Sequence, residues 1–349
     1  MKEKLLQIAV LIPSLDPDQH LVSVVRGCVE EGFSRIVVVD DGSSEICQEF
    51  FRETETLGAI VVHHSENRGK GAALRTGLRA IRETFPEVSG VVTADGDGQH
   101  LPSDIGRVAL ALLSENQPFV LGVRDFSGDQ VPWRSRAGNR ITAKFFQLST
   151  GIRCEDTQTG LRGIPYRLFD RMLTIPGDRY EYEFNVLNSI AAARYPLEMV
   201  PIETVYEDNN KASHFRAVVD SARIYQRPLK YAASSLICCV VDLALFWLLS
   251  RRVSIMLATI AARCISGFAN FKLNQMWSFR VSEKSWDQLV KYVILCVAVM
   301  LLSGAAVTVL QILPIPSTLT KAIVDSVLFV MNYLIQRRFI FADRPKEIK

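Results

Sequence analysis

Through the first 94 residues, short unbroken apolar runs alternate with longer stretches in which apolar positions recur every three or four residues. The runs LQIAVLI (6–12), RIVVV (35–39), AIVV (59–62) and GVVTA (90–94) are continuous, as strands buried on both faces of a sheet must be. Between them, DQHLVSVVRGCVEEG (18–32) and KGAALRTGLRAIRETF (70–85) have helical spacing. The alternation predicts βαβ units with right-handed crossovers and a largely parallel sheet, hence an α/β fold. In such a sheet ligands sit at the carboxyl ends of the strands, so the polar residues that follow each run are the candidates for chemistry. The first run could be mistaken for a signal peptide. It is short, ends in Pro13 and Asp16, and has no small-residue cleavage site, so it is read as the first strand.

From Leu229 the pattern changes. Four apolar segments, 229–250, 253–279, 288–313 and 318–340, are each about long enough for the ~30 Å hydrocarbon core of a bilayer. They come as two copies. Leu229-Lys230-Tyr231 reappears 61 residues on as Val290-Lys291-Tyr292, and Asn270, Phe271, Asn274, Trp277 and Phe279 reappear at an offset of 62 as Asn332, Tyr333, Gln336, Phe339 and Phe341. Two helical hairpins in the same orientation follow, a parallel repeat. The division expected is a soluble α/β domain over 1–228 and an all-α, four-helix transmembrane domain with a short tail over 229–349. Arg263 and Asp325 hold equivalent repeat positions; since charge inside a membrane is costly unless partnered, they are expected to pair.

Charge supports the division. Of 40 Lys/Arg and 37 Asp/Glu, the last 120 residues hold 14 and 6, which leaves 26 and 31 upstream. No basic stripe marks the first part, which excludes nucleic acid as its ligand. In the second, Lys272, Arg280, Lys284 and Lys291 lie between the second and third segments, and Arg337, Arg338, Arg344, Lys346 and Lys349 follow the fourth; the other side has only Arg251, Arg252 and Lys321. The positive-inside rule then puts the soluble domain and both termini in the cytoplasm. The seven cysteines form no CxxC pair or zinc spacing and are read as reduced and structural.

After GVVTA comes Asp95-Gly96-Asp97-Gly98-Gln99-His100. Two carboxylates and an amide at i, i+2 and i+4 in a glycine-rich turn can converge on one hard cation, and Mg²⁺ or Mn²⁺ held so sparsely also takes substrate phosphates. A calcium loop would need a longer ligand series; a plain turn would need no ligand at all. After RIVVV comes Asp40-Asp41-Gly42-Ser43, where a carboxylate can accept from a base or ribose hydroxyl. After AIVV, Asn67-Arg68-Gly69-Lys70-Gly71 opens a helix, which suits an anion. Either of these could equally be a turn or a helix cap.

Ordered along one sheet, the three motifs resemble the family 2 glycosyltransferases of GT-A (Rossmann-like) fold. Asp156-Thr157-Gln158-Thr159-Gly160-Leu161-Arg162 and Ser213-His214-Phe215-Arg216 narrow the likeness to dolichol-phosphate mannose synthases and bacterial polyprenyl-phosphate glycosyltransferases. Residues 229–343 resemble the GtrA-type four-helix domain. The resemblance implies a donor that is a UDP- or GDP-linked sugar, a polyprenyl phosphate acceptor, and inverting transfer of a hexose at the membrane. It implies that Asp95, Asp97 and Gln99 hold Mg²⁺ or Mn²⁺, that Asp41 meets the nucleoside, and that Arg124, after the next strand, meets a phosphate. Pro13, Asp16, Asp18, Lys70 and Asp95 complete the nucleotide-sugar set. The family's first loop usually reads Pro-x-Tyr-Asn-Glu; here Pro13-Ser14-Leu15-Asp16-Pro17-Asp18 has no aromatic, which leaves the base and the sugar open.

A phosphate monoester has a second pKa near ~6, so the acceptor is largely dianionic at neutral pH and a strong general base is dispensable. Asp97, Asp156 and Arg124 form the catalytic set, Asp156 orienting a substrate or simply bridging to a cation. Arg136, Arg140, Arg162, Ser213, His214 and Arg216 are the candidates for the acceptor phosphate. The stretch from Pro132 to Phe146 is read as a helix, either interfacial or buried on one face. Three other readings compete: a processive polysaccharide synthase, whose Gln-x-x-Arg-Trp motif is absent; a transferase to some other acceptor; and a lipid-sugar flippase activity in the membrane half. Composition leaves a homo-oligomer open.

Overall fold

The computed structural model describes residues 2–125, 133–203, 226–279, 281, 285–310, 312 and 316–341. Those up to 203 belong to one compact unit and those from 226 onward to a second.

In the first unit, seven strands form one sheet: β1 (Ile8–Ser14), β2 (Ile36–Asp40), β3 (Ile60–His63), β4 (Gly90–Thr93), β5 (Phe119–Arg124), β6 (Arg162–Pro165) and β7 (Leu197–Ile202). Their spatial order is β3-β2-β1-β4-β6-β5-β7. The helices between them are α1 (Lys2–Leu5), α2 (Gln19–Glu31), α3 (Gln48–Thr56), α4 (Lys70–Thr84), α5 (Pro102–Leu112), α6 (Trp133–Thr150), α7 (Phe169–Thr174) and α8 (Glu181–Ala192). The four apolar runs became β1 to β4, all mutually parallel. β6 runs antiparallel to both β4 and β5 in an otherwise parallel sheet. It follows α6 in the chain and enters the sheet from the 156–160 loop.

The strand period of two divides the core between the faces. Ala9, Leu11, Val37 and Val39 pack with α4 and α8 residues such as Ala73, Leu74, Leu78, Leu187 and Ile190. Ile8, Val10, Ile12, Ile36 and Val38 pack with α2 and α5 residues such as Leu21, Val25, Ile105 and Val108. Adjacent residues of one strand thus serve opposite faces, which is why the runs are unbroken.

Among its described residues the second unit has four long helices, α9 (Gln226–Leu249), α10 (Ile255–Leu273), α11 (Trp286–Leu310) and α12 (Ser317–Ile335). Among the described residues, three stretches are long and apolar enough to cross a membrane: Pro228–Leu249, Trp286–Leu310 and Leu319–Ile340. α10, which carries Arg263, Asn270 and Lys272, is not among them. The repeat is visible in the backbone, since α10 and α12 each run into a five-residue π-helical turn, Asn274–Ser278 and Gln336–Ile340. The leading residues of the two turns meet: Asn274 Nδ2 donates to Gln336 Oε1 at 3.1 Å. Ser234 Oγ donates to Asn274 Oδ1 at 2.6 Å, and Gln336 Nε2 donates to Tyr231 OH at 3.3 Å, so these buried amides are paired.

The expected Arg263–Asp325 pair does not form. Arg263 Nε lies 3.4 Å from Asp242 Oδ2 within the first hairpin. Asp325 takes Lys321 Nζ at 2.8 Å and Ser303 Oγ at 2.6 Å within the second. The 61-residue offset places Ser303 where the first copy has Asp242. Each hairpin therefore closes its own polar contact at one repeat level, and two equivalent positions need not face each other.

Candidate active site

Strand order supplies the location. From β1 the chain builds outward through β2 and β3 on one side and through β4 on the other, so β1 and β4 flank a topological switch point where a crevice opens at the carboxyl ends. The residues that follow these two strands are Asp16 and the Asp95–His100 turn.

Two loops at this edge are tied together. Asp16, with a positive φ of 44°, donates its N–H to Ser43 Oγ at 2.9 Å and accepts from Ser44 N at 2.8 Å. Asp18 caps α2 by accepting from His20 N, and Pro13 lies within β1 opposite Val39. Asp41 is 3% exposed. Its Oδ1 takes His64 Nδ1 at 2.7 Å and Arg68 N at 3.0 Å, and its Oδ2 takes Gly69 N at 2.7 Å. Asp41, read from the sequence as a nucleoside contact, here fixes the loop that presents Lys70.

Lys70 opens α4 and reaches the centre of the site. Its Nζ lies 2.6 Å from Asp95 Oδ1 and 3.2 Å from Glu183 Oε2 of α8. Burial opposes the charge on Lys70, but the two carboxylates override it and raise its pKa above the ordinary lysine range. Burial would likewise raise Asp95; Lys70, with His100 and Arg124, overrides it and holds that carboxyl at about 2. Asp97 goes the other way. Burial, reinforced by the negative charge of Asp95, pushes it up to about 6. His100 Nδ1 accepts the Asp95 backbone N–H at 2.9 Å, which leaves its proton on Nε2, and burial lowers its pKa to about 4. It is a neutral brace for the turn. Gln99 donates its backbone N–H to Asp97 Oδ1 at 3.1 Å.

The 156–162 loop closes over this turn. A Cβ on Gly160 would stand 2.4 Å from Asp95 Oδ2, so only glycine lets the loop approach the carboxylate. Asp156, 0% exposed, receives Arg124 Nε at 2.7 Å and Nη2 at 3.3 Å, a bidentate pair at the end of β5. The bridging alternative for Asp156 is thus the observed one. Arg162, proposed for an acceptor phosphate, is 2% exposed and donates to the carbonyls of Thr159 and Glu183 at 2.9 and 2.6 Å. In this arrangement Arg162 ties β6 to α8 in the interior. Arg136 and Arg140 are exposed on α6, whereas Ser213, His214 and Arg216 lie outside the described residues.

Among the described residues no three His, Cys, Asp or Glu side chains gather as a metal site. Asp95 and Asp97 still fit a divalent ion. Two crowded carboxylates, one raised by the charge of the other, are relieved by a cation, and an incomplete oxygen set suits one that also takes phosphate oxygens. Glu183 and His100 were missed as site residues. Glu183 comes 113 residues after Lys70 with no motif of its own; its one signal is a carboxylate between Tyr182 and Phe184 on an otherwise buried helical face.

Comparison with known proteins agrees with this arrangement. The glycosyl transferase family 2 profile matches residues 11–174, and the GtrA/DPMS transmembrane domain profile matches 230–341. An uncharacterized protein of Methanocaldococcus jannaschii is 31% identical over 208 residues, 58% of this chain and 83% of that one. The UDP-N-acetylglucosamine–dolichyl-phosphate N-acetylglucosaminyltransferase of Methanococcus voltae is 26% identical over 61% of this chain and 90% of its own length. Among solved structures, glucosyl-3-phosphoglycerate synthase of Mycobacterium tuberculosis, in complex with Mn²⁺, UDP-glucose and phosphoglyceric acid, shares the fold with a TM-score of 0.50 at 17% identity, covering 66% of this chain and 81% of that one. With its GT-A sheet, its carboxylate turn at the switch point and a GtrA/DPMS membrane domain, this chain belongs to glycosyl transferase family 2, as a relative of the dolichyl-phosphate glycosyltransferases.

Proposed function

We propose that the protein transfers a hexose, with inversion, from a nucleotide diphosphate sugar to a polyprenyl phosphate at the cytoplasmic face of a membrane that it crosses four times. The observation that carries this reading is the convergence of Asp95, Asp97 and Lys70 at the switch-point crevice of a chain that continues into a GtrA/DPMS membrane domain. The acceptor class is supported by the name of the Methanococcus voltae relative, and the cytoplasmic face by the charge asymmetry of the membrane half.

Asp95, Asp97 and the Gln99 amide would hold Mg²⁺ or Mn²⁺, which when bound supplies Lewis-acid neutralisation of the leaving diphosphate. The remaining work belongs to the protein. The loop fixed by Asp41 and the Asp16–Ser43–Ser44 clasp presents Lys70 and the edge against which the nucleotide lies. Asp156 holds the Arg124 guanidinium at the end of β5, aimed for a phosphate rather than left to wander. The acceptor oxygen arrives already ionised, so no carboxylate needs to take a proton in the displacement. Arg136 and Arg140 on α6, with Ser213, His214 and Arg216, are the proposed acceptor contacts.

α6 has the make-up of an interfacial helix. Asn139, Thr142, Phe146 and Ser149 are buried, while Ile141 and Leu148 are exposed by 65% and 48% beside exposed Arg140. Purified full-length protein with Mn²⁺, polyprenyl phosphate and a panel of radiolabelled UDP- and GDP-sugars is expected to yield one labelled lipid. Asp97→Asn is expected to lower that transfer on the order of 10²–10³-fold. No labelled lipid with any donor would refute the proposal.

A further inference from the structure

Glu183 has no part in the transfer as described, yet it is the second carboxylate on Lys70. It is 8% exposed, its Oε2 lies 3.2 Å from Lys70 Nζ, and its Oε1 is buried without a hydrogen-bond partner. A buried carboxylate oxygen with no partner is costly and therefore unusual. The scaffold keeps it there. Ala72 N donates to Asp178 O at 3.0 Å, and a Cβ on Gly71 would meet Tyr182 Cβ at 2.5 Å, so the start of α4 lies directly on α8. Arg162 Nη1 donates to the Glu183 carbonyl at 2.6 Å and fixes the backbone there. The ring of Tyr180, 6.0 Å from Nζ, adds another face that accepts a cation.

The ammonium occupies the same Asp95 carboxylate that a divalent cation would need, and two cations on one carboxylate repel strongly where water is scarce. Lysine must therefore have somewhere else to put its charge. We propose that Glu183 is the second anchor of Lys70: when a divalent cation takes Asp95, the ammonium passes to Glu183, whose unused oxygen completes its coordination. Glu183 is then a positioning residue that sets how readily the site accepts metal. It also keeps a lysine charge beside the diphosphate without letting that charge compete for Asp95. This rests on the metal-site reading above.

The test is Mn²⁺ binding to the full chain in detergent, without nucleotide, followed by the electron paramagnetic resonance signal of free Mn²⁺. Glu183→Gln leaves Lys70 with Asp95 alone and is expected to weaken Mn²⁺ binding about five- to tenfold, the size of a moderate coupling between sites. Lys70→Met removes the competitor and is expected to tighten binding, and in that background Glu183→Gln is expected to change nothing. An unchanged affinity in Glu183→Gln overturns the exchange, as does an equal loss with and without Lys70. Should Glu183→Gln lose its fold, Lys70→Met decides alone: tighter binding supports the exchange and weaker binding overturns it. Asp97→Asn separates the two layers. If the unmutated chain shows no saturable uptake, or Asp97→Asn leaves uptake intact, the metal site itself falls and the exchange with it. If Asp97→Asn abolishes uptake that Glu183→Gln leaves untouched, only the exchange falls.

Discussion

Asp95 and Asp97 stand two residues apart in one turn, yet they are driven in opposite directions. Asp95 has Lys70 on it and is held at about 2; Asp97 has burial and the charge of Asp95 against it and rises to about 6. The sign of the consequence follows directly. Below about pH 6 Asp97 carries a proton in the metal-free protein, and a cation must displace it to bind. Mn²⁺ affinity is therefore expected to be at its plateau above about pH 6 and to fall roughly tenfold per pH unit below it, one proton being exchanged per ion. Dissociation constants measured between pH 5 and 7 check this, and a flat profile would show that Asp97 is ionised throughout. Asp41 and Asp156 teach the complementary point. Their motifs draw attention to them as ligand contacts, but each is closed upon neighbours in its own chain, Asp41 upon the Lys70 loop and Asp156 upon Arg124.

At the scale of elements, β1 to β4 and their helices were legible because burial on both faces demands unbroken apolar runs, and a helix with one buried face demands the 3.6 period. β6 was not, because Arg162-Gly163-Ile164-Pro165 is no continuous apolar run, and its antiparallel entry after α6 follows from no local pattern. α6 was legible as an amphipathic helix but not as to which face lies where. The structure buries Asn139, Thr142 and Phe146 and leaves Ile141 and Leu148 outside, beside Arg140. If that face lies on lipid, Ile141→Asp with Leu148→Asp is expected to raise the apparent KM for polyprenyl phosphate in vesicles about tenfold. That is less than complete burial of two such side chains would contribute, since the membrane helices still anchor the chain. Its kcat is expected to stay within about twofold, because uniform binding and not the transition state is affected. Equal KM values for variant and parent would remove α6 from the acceptor surface.

At the scale of the molecule, the second unit is two copies of a hairpin, and the copies are linked through their repeat-equivalent amides, Asn274 and Gln336. Tyr231 packs against Phe329 and Tyr333 with ring centroids 5.1 and 5.2 Å apart, so the bundle is joined by aromatic and amide contacts across the repeat. The charged contacts stay within each hairpin, Asp242 with Arg263 and Asp325 with Lys321. An interhelical polar contact such as Asp242–Arg263 contributes about 0.6–1.7 kcal/mol in membranes. Reversing Arg263 to Asp is expected to lower the melting temperature of the detergent-solubilised protein. The exchange Asp242→Arg with Arg263→Asp is expected to restore it, whereas Asp325→Arg with Arg263→Asp is not. Rescue by the second pair would return the ion pair to the repeat-equivalent positions.

What the sequence by itself determined is whatever depends on spacing along the chain: the buried strands, the helical crossovers, the apolar segments and their duplication, and the carboxylate turn after the fourth strand. Those features are local, because hydrophobic periodicity and turn chemistry act over a few residues. Only the tertiary structure decided which charges meet. Lys70 to Glu183, Arg124 to Asp156, Asp41 to Gly69 and Arg263 to Asp242 join residues from separate elements. Partner choice there depends on where helices and loops come to rest, at distances that no spacing rule encodes. For the same reason the Asp95–Gln99 turn was readable as a place for a cation, while Glu183, the group inferred to govern how easily that cation enters, was not.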